Sequence, residues 1–344
     1  MTDADLSLVV EHDSGGMSEL AVPTPVAIDE EQPTLATIDI ESALDRVARC
    51  EAVVFRDEWL AVLEDLDRRN DELFVEDNAG DAIFGGRLDD WQFGGTTVSV
   101  QIDSWERDAL DTEPPASFSR SGASDEVIAR DLINLMPAPL TEGTVEETTA
   151  STDYEATHWA PGRMLRDLTQ STGAEVAYRP DGTVDYLKRR GAARAEELSP
   201  STGAVIDEPR IRETLREGVT NVRAVSDDDP TIYEEATAIE TDAGEKQVWE
   251  VDHIDSTSSS RLQARATRLA NEYAAAPEYL EIETTLDGAV LDPLPDIGDT
   301  YPVTLLAYDV DEDLRVIEAD RTIDGDGETV AVLLSNRKLT LAGR

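Results

Sequence analysis

The segment "DAIFGGRLDDWQFGGTTVSVQIDS", residues 81–104, has the pattern of two β-strands joined by a tight Phe-Gly-Gly turn. Val98, Val100 and Ile102 alternate with polar residues, which is typical of a strand with one buried and one solvated face. The preceding segment DELFVED, residues 71–77, has the pattern of a third strand. Short strands joined by Gly and Asp turns predict a β-meander of the kind found in small barrels and sandwiches.

The same order of strands and turns recurs near the other end of the chain, with a different amino-acid sequence. TYPVTLLAYD at 300–309, LRVIEADRTI at 314–323 and TVAVLLSN at 329–336 have strand patterns, and they are separated by VDED and DGDGE. We therefore expect residues 71–104 and 299–336 to form equivalent meanders. Because strand alternation fixes which face a side chain takes, Phe84 is expected to match Val316, and Val100 to match Val332.

The middle of the chain has helical patterns. SGASDEVIARDLINLMPAP at 121–139 places apolar residues on one face, and APGRMLRDLTQSTG at 160–173 has Pro161 in its first turn and Gly173 at its end. A hairpin around a Pro-Asp-Gly turn is expected at 174–189. A further helix at 256–275 leads into the strand YLEIETTL at 279–286.

These patterns predict a mainly β fold with an α+β insert, in which two similar small β-barrels flank an α/β domain. The expected domains are an N-terminal arm with the first barrel at 1–115, the α/β insert at 116–195, and the second barrel with helix 256–275 at 196–344.

The charge balance is extreme. The 344 residues include 75 acidic and 29 basic side chains, for a formal net charge of −46, and only three of the basic residues are lysines. Salt of about 1 M shortens the Debye length to roughly 3 Å and screens most of the resulting repulsion. This composition is typical of a protein from an extreme halophile. With no basic patch to release counterions, no specific nucleic-acid binding is expected.

Motifs for catalysis or cofactor binding are not found in the sequence. It has no nucleophile elbow, P-loop or dinucleotide fingerprint, and its three histidines, His12, His158 and His253, belong to no paired motif. The single cysteine, Cys50, cannot form an intrachain disulfide and is expected to be a buried structural thiol. We expect no enzyme activity, catalytic residues or cofactor, no signal peptide and no membrane span.

One weak candidate for a metal site is the run Asp309, Asp311 and Asp313, with Asp320 eleven residues after the first. This spacing resembles a calcium loop, but Leu314 stands where the loop's sharp turn needs glycine. A solvated hairpin turn is the favoured interpretation, and no dedicated metal site is expected.

Several of these segments resemble the baseplate hub proteins of tailed viruses. AIFGGRLDDW at 82–91 looks like a strand near the start of those proteins, and MLRDLTQSTGAEVAYRPDGTVDYLKR at 164–189 is similar to their helix and hairpin. RLQARATRLANEYAAAPEYLEIETTLDGAVLDPLPDIGDTYPV at 261–303, followed by LRVIEADRTID, resembles their final helix, strand and meander. The resemblance covers roughly residues 35–340.

The resemblance implies a structural virion protein at the tail tip, of the two-barrel hub type. Such a hub is a homotrimer whose six barrels form a pseudo-sixfold ring, with neighbouring barrels related by a rotation of about 60°. Its implied partners are the tail tube protein, the tape measure protein, the distal tail protein and a tip spike or fibre. Together with the composition, the resemblance implies a virus of a halophilic archaeon, assembled in the host cytoplasm and acting in genome delivery.

Two other interpretations stay open at the sequence level. A distal tail ring protein would be a hexamer with one tube-like barrel per chain, and the doubled meander disfavours it. A tail-associated cell-envelope hydrolase is not supported by any motif, although paired carboxylates are uninformative in so acidic a chain.

Overall fold

The computed structural model describes residues 6–336 except 14, 22–37, 44–46, 68–69, 78, 215–218, 228, 240–246, 255–256, 276–278, 292 and 325–326. The fold is mainly β with a few helices, which confirms the predicted fold class. Residues 1–5 and 22–34 of the expected N-terminal arm, and the centre of the expected DGDGE turn, lie outside the described residues. None of the helices within the described ranges has the length and apolar character needed to span a bilayer.

The described residues of the N-terminal part form seven strands and one helix. A hairpin of β1 (Ser7–Glu11) and β2 (Met17–Ala21) is followed by five strands that we call the first module: β3 (Ile38–Ala43), β4 (Arg49–Phe55), β5 (Glu72–Glu76), β6 (Ala82–Gly94) and β7 (Thr97–Ser104). Helix α1 (Arg56–Leu63) lies between β4 and β5 and buries Trp59 and Val62, as its apolar spacing leads one to expect. The hairpin joins the edge of the module by pairing β1 with β5.

The α/β insert follows the first module and has a hydrophobic core of its own. Pro161 begins helix α4 (Pro161–Thr172), and Gly173 ends it in the left-handed conformation that glycine adopts without strain, both as predicted. The hairpin around Asp181-Gly182 is also confirmed. The elements of the insert are α2 (Glu106–Asp111), β8 (Phe118–Ala123), α3 (Asp125–Ile133), β9 (Thr141–Val145), β10 (Thr152–Ala156), α4 (Pro161–Thr172), β11 (Glu175–Tyr178) and β12 (Thr183–Leu187).

The C-terminal part contains what we call the second module: β13 (Arg210–Thr214), β17 (Tyr279–Asp287), β18 (Thr300–Leu305), β19 (Val310–Asp324) and β20 (Gly327–Ser335). A small α/β unit interrupts it after β13, made of β14 (Asn221–Ser226), β15 (Tyr233–Thr237), β16 (Trp249–Ile254) and α5 (Ser259–Ala275).

Helix α5 packs on the three-stranded sheet of this unit. Leu262, Ala266 and Leu269 lie in a hydrophobic cluster separate from the core of the second module. The domain division predicted from the sequence did not separate this unit from the second barrel. The predicted domain limits stay a prediction.

The two modules belong to one continuous twelve-stranded sheet. Its strand order is β13-β17-β20-β19-β3-β4-β7-β6-β5-β1-β2, with β18 on the free part of the β19 edge. The pairing of β19 with β3 joins the modules directly, so their relative position is set by backbone hydrogen bonds.

Candidate assembly interface

The candidate calcium residues do not share one turn. Asp309 ends a short 3-10 helix at Leu306–Tyr308 with a positive φ of 57°. Asp311 and Asp313 lie within β19, where they pair with Thr304 and Pro302. The predicted turn at VDED, residues 310–313, is therefore wrong. The chain reverses at 306–309 instead, and residues 310–313 are the first residues of strand β19. Within the described ranges, no group of three or more His, Cys, Asp or Glu side chains is placed to hold a metal ion.

His12, His253 and Cys50 have structural contacts. The Nδ1 atom of His12 lies 2.7 Å from the Asp71 carboxylate, and the Nδ1 atom of His253 lies 3.3 Å from Asp227. Cys50 is buried in β4, as predicted, and burial raises the pKa of its thiol. A protonated, buried thiol is a poor nucleophile, so Cys50 is not placed for covalent chemistry.

A cavity of about 300 Å³ lies where the insert meets both modules. Two ion pairs lie in its lining: Arg166 donates from Nε to Glu106 at 2.9 Å, and Arg190 donates to Asp296 at 3.2 Å. The Tyr178 hydroxyl and Arg190 Nε also belong to lining residues, and they are buried without a hydrogen-bond partner among the described residues. Burial raises the pKa of Glu106 even though Arg166 opposes the shift. The Arg190–Asp296 contact joins the end of the insert to the second module, and neither ion pair presents a nucleophile with an adjacent base.

The two modules of this chain have the same strand topology. In each module the first strand pairs with the second, the second with the fifth, the fifth with the fourth, and the fourth with the third. The first module is thus β3-β4-β7-β6-β5 across the sheet, and the second is β13-β17-β20-β19-β18. The strands also follow one another in the same order along the chain.

The modules agree in register as well as in topology. In both, the fourth strand has one extra residue opposite the fifth: Asp89 lies between the pairs Leu88–Ile102 and Asp90–Gln101, and Ile317 between the pairs Val316–Leu334 and Glu318–Leu333. Gly86, three residues before the first bulge, pairs with Leu73; Leu314, three residues before the second, pairs with Tyr301. A β-bulge at the same point of the same ladder indicates equivalent structures.

A row of four apolar residues crosses each module at this bulge. In the first module the row runs from β6 to β3 through Leu88, Ile102, Cys50 and Ile40. In the second it runs from β19 to β13 through Val316, Leu334, Ile282 and Ile211. Cys50 therefore occupies the position that isoleucine has in the other module, which agrees with a packing role.

The predicted residue matches are confirmed in one case and wrong in the other. Val100 and Val332 are equivalent, since each pairs with the second residue past the bulge, Trp91 or Ala319. Val316 is equivalent to Leu88 rather than to Phe84, although both Phe84 and Val316 are buried. Strand alternation gave the correct face, but it could not reveal that the β19–β20 hairpin is longer than the β6–β7 hairpin: Val100 lies 11 residues after the bulge at Asp89, and Val332 lies 15 residues after the bulge at Ile317.

Two strands, β18 and β3, pair with the same edge of β19 at different points along it. Residues 310–315 of that edge pair with β18, and residues 318–323 pair with β3 of the first module. Ile323 reaches the core of the first module, and Ile40 on β3 lies opposite Arg321. This junction therefore combines a backbone ladder with apolar packing.

A buried ion pair fixes the insert to the second module. Arg315 of β19 donates to both carboxylate oxygens of Glu175 in β11, at 2.7 and 2.5 Å, and to the carbonyls of Gly298 and Arg190. The two side chains are 8% and 4% exposed. Such a bidentate pair sets geometry as well as charge.

No protein-family model matches the sequence, and no curated protein matches it either. Solved structures with a similar fold do exist. A tail protein of Neisseria meningitidis has a TM-score of 0.65 at 13% identity, covering 98% of each chain. A prophage tail protein of Shewanella oneidensis has 0.64 at 13% identity, covering 96% of this chain and 98% of its own.

A third similar structure is a prophage tail protein of Listeria monocytogenes, with a TM-score of 0.63 at 10% identity over 96% of this chain and 95% of its own. A type VI secretion component of Escherichia coli, described as structurally similar to bacteriophage T4 tail proteins, has 0.54 at 8% identity, covering 92% and 79% of the two chains. The chain therefore has the fold of phage tail proteins along almost its whole length.

Proposed function

We propose that this protein is a structural hub at the tip of a viral tail, a homotrimer that joins a sixfold tail tube to threefold tip components. The observation that carries the proposal is the repeated module, with its common strand order, register and bulge. Three chains with two equivalent modules each supply the six units that a pseudo-sixfold ring requires.

The α/β insert and the α5 unit support a change from sixfold to threefold symmetry within one assembly. The α/β insert follows only the first module, and the α5 unit interrupts only the second. In a trimer, six equivalent modules would face one partner, while three copies of each inserted unit would mark threefold positions. A tail tube would dock on the sixfold face, and a spike or fibre on the threefold face.

A structural role agrees with the chemistry of the described residues. Some of their buried charges form ion pairs between domains, such as Arg315 with Glu175 and Arg194 with Asp299 at 2.7 Å. These pairs fix the domains to one another, as an adaptor under load requires.

We extend the proposal to the surroundings of the hub. The distal tail protein and the tape measure protein would be further neighbours in the virion, and the hub would act in tail assembly and genome delivery. The charge of −46 suits molar salt, hence a virus of a halophilic archaeon. An acidic axial wall would also repel DNA during its passage.

The mass of the native protein in molar potassium chloride tests the proposal. A species of three times the 37.6 kDa chain supports the hub. Six copies would support a distal tail ring instead. Turnover of cell-envelope glycans, absent from a heat-denatured control, would support a hydrolase. A chain that stays monomeric at all concentrations would contradict both assemblies.

A further inference from the structure

The cavity between the insert and the two modules contains two buried hydrogen-bond donors that have no acceptor among the described residues. One is the Tyr178 hydroxyl at the end of β11, and the other is Nε of Arg190, which follows β12. The Nε atom of arginine can only donate, so its partner must be an acceptor. Because a buried donor without a partner is costly, the two donors indicate an acceptor bound in the cavity.

The charged residues of the cavity lining favour an anion as that acceptor. They are four arginines and two acids: Arg166, Arg179, Arg190, Arg321, Glu106 and Asp296. Two of the arginines, Arg179 and Arg321, also pair with carboxylates outside the lining. At about 1 M salt the Debye length is roughly 3 Å, so these neighbouring charges act on the site more strongly than the −46 of the whole chain does.

The two carboxylates of the lining already accept hydrogen bonds from arginine. Glu106 accepts from Arg166 Nε at 2.9 Å, and Asp296 accepts from a terminal nitrogen of Arg190 at 3.2 Å. Burial raises the pKa of Glu106, which favours its neutral form and weakens its repulsion of an anion. Burial, followed by the neighbouring Glu106, also raises the pKa of Tyr178, so the hydroxyl keeps its proton and can donate.

The backbone holds both donors in place. The N–H of Arg190 donates to Glu175 Oε2 at 2.6 Å, and its carbonyl accepts from Arg315 at 3.0 Å. The Arg190 side chain is only 18% exposed. Tyr178 is held by the pairing of β11 with β12, where it lies opposite Val184. Binding at this site therefore requires little ordering of the protein.

We propose that the Tyr178 hydroxyl and Arg190 Nε bind a small monovalent inorganic anion in this cavity, which is chloride when the protein is in molar potassium chloride. The cavity of about 300 Å³ has room for the ion and several waters, since one water needs only about 10–15 Å³ of such volume. The bound ion stabilises the junction of the insert with the modules. The inference is independent of the proposed trimer.

Thermal unfolding of the full chain in potassium chloride, and in an equal concentration of potassium gluconate, tests the site because gluconate is a far larger anion. Tyr178→Phe removes only the hydroxyl. In gluconate the loss of an unpartnered polar group should leave the midpoint unchanged or raise it, whereas in chloride the loss of a donor to the ion should lower it. Tyr233→Phe is the matched control, since Tyr233 is 47% exposed, and its midpoint should follow the unmodified protein in both salts.

The affinity for chloride follows from the midpoint when chloride replaces gluconate at constant total salt. We expect the half-saturating chloride concentration to rise about tenfold in Tyr178→Phe, the effect of losing one hydrogen bond to a charged group. Arg190→Lys keeps the positive charge, removes the Nε donor and should show a similar rise. An equal shift of the Tyr178→Phe midpoint in both salts would overturn the site.

Anomalous diffraction from crystals in potassium bromide locates the ion. The expected result is a bromide peak within hydrogen-bonding distance of both Tyr178 Oη and Arg190 Nε, which is lost in Tyr178→Phe and in Arg190→Lys. Water without bromide at this position would overturn the proposal. A bromide peak that persists unchanged in both variants would mean an adventitious ion only and would overturn it too. None of these measurements depends on the number of chains, so their failure would leave the hub proposal standing.

Discussion

At the scale of single residues, a few buried contacts hold the domains at fixed positions. Arg315 and Glu175 are 140 residues apart in sequence, and their pairing ties β19 to β11. Gly85 permits another close contact, between the first module and the insert. A Cβ atom there would lie 2.1 Å from the carbonyl oxygen of Pro180, which accepts a hydrogen bond from Trp105 Nε1 at 2.7 Å.

The variant Arg315→Met tests the buried ion pair. Removing the guanidinium leaves the Glu175 carboxylate buried without its partner, and we expect the free energy of unfolding to fall by about 3–5 kcal/mol. Chemical denaturation in molar salt measures the change. Arg107→Met is the matched control, because Arg107 and Asp111 form an exposed pair, 53% and 61% exposed, whose loss costs less than about 1 kcal/mol. Equal effects of the two variants would contradict the account of this contact.

The variant Gly85→Ala tests the close approach of β6 to the insert. The added methyl group must displace the Pro180 carbonyl or the strand, and such overpacking costs about 1–3 kcal/mol. Gly16→Ala is the control, since the nearest atom to a Cβ there is 3.7 Å away. Thermal unfolding should show a lower midpoint for Gly85→Ala only. An unchanged midpoint would mean that the insert does not pack on this strand in solution.

At the scale of elements, the sequence predicted the meanders well and their exact register poorly. The β6–β7 hairpin and the α4 helix followed from local signals: alternation, a Gly-Gly turn, Pro161 and Gly173. The bulge residues Asp89 and Ile317 carry no common local signal, because a bulge is set by how two distant ladders must fit.

The candidate assembly interface could be predicted only in part. The doubled meander was visible in the sequence, but the topological match also needs β3, β4, β13 and β17, and β13 is separated from β17 by the whole α5 unit. Pairing between strands so far apart has no local signature. Alternation in VRAVS at 222–226 and in WEVDHI at 249–254 could have indicated the extra sheet.

At the scale of the whole molecule, two properties matter: charge and symmetry. Only 29 basic residues oppose 75 acidic ones, so unscreened repulsion acts on the entire fold. The repeated module acts at the same scale, since two equivalent modules lie in one continuous sheet.

The dependence of the fold on salt tests the role of charge. We expect loss of β structure as salt falls from about 1 M to about 20 mM, because the Debye length then grows from roughly 3 Å toward 30 Å. Circular dichroism against potassium chloride concentration measures it, with an equal osmotic strength of sucrose as the control for solvent exclusion. A spectrum unchanged down to about 20 mM would contradict the halophilic assignment.

Electron microscopy of the native assembly in molar salt, averaged without imposed symmetry, tests the central claim most directly. The account predicts one ring of six similar β modules, with neighbours related by about 60°, and inserted units that alternate around it so that the true symmetry is threefold. A ring of six complete chains, an open filament, or a trimer whose two modules lie in separate layers would contradict it.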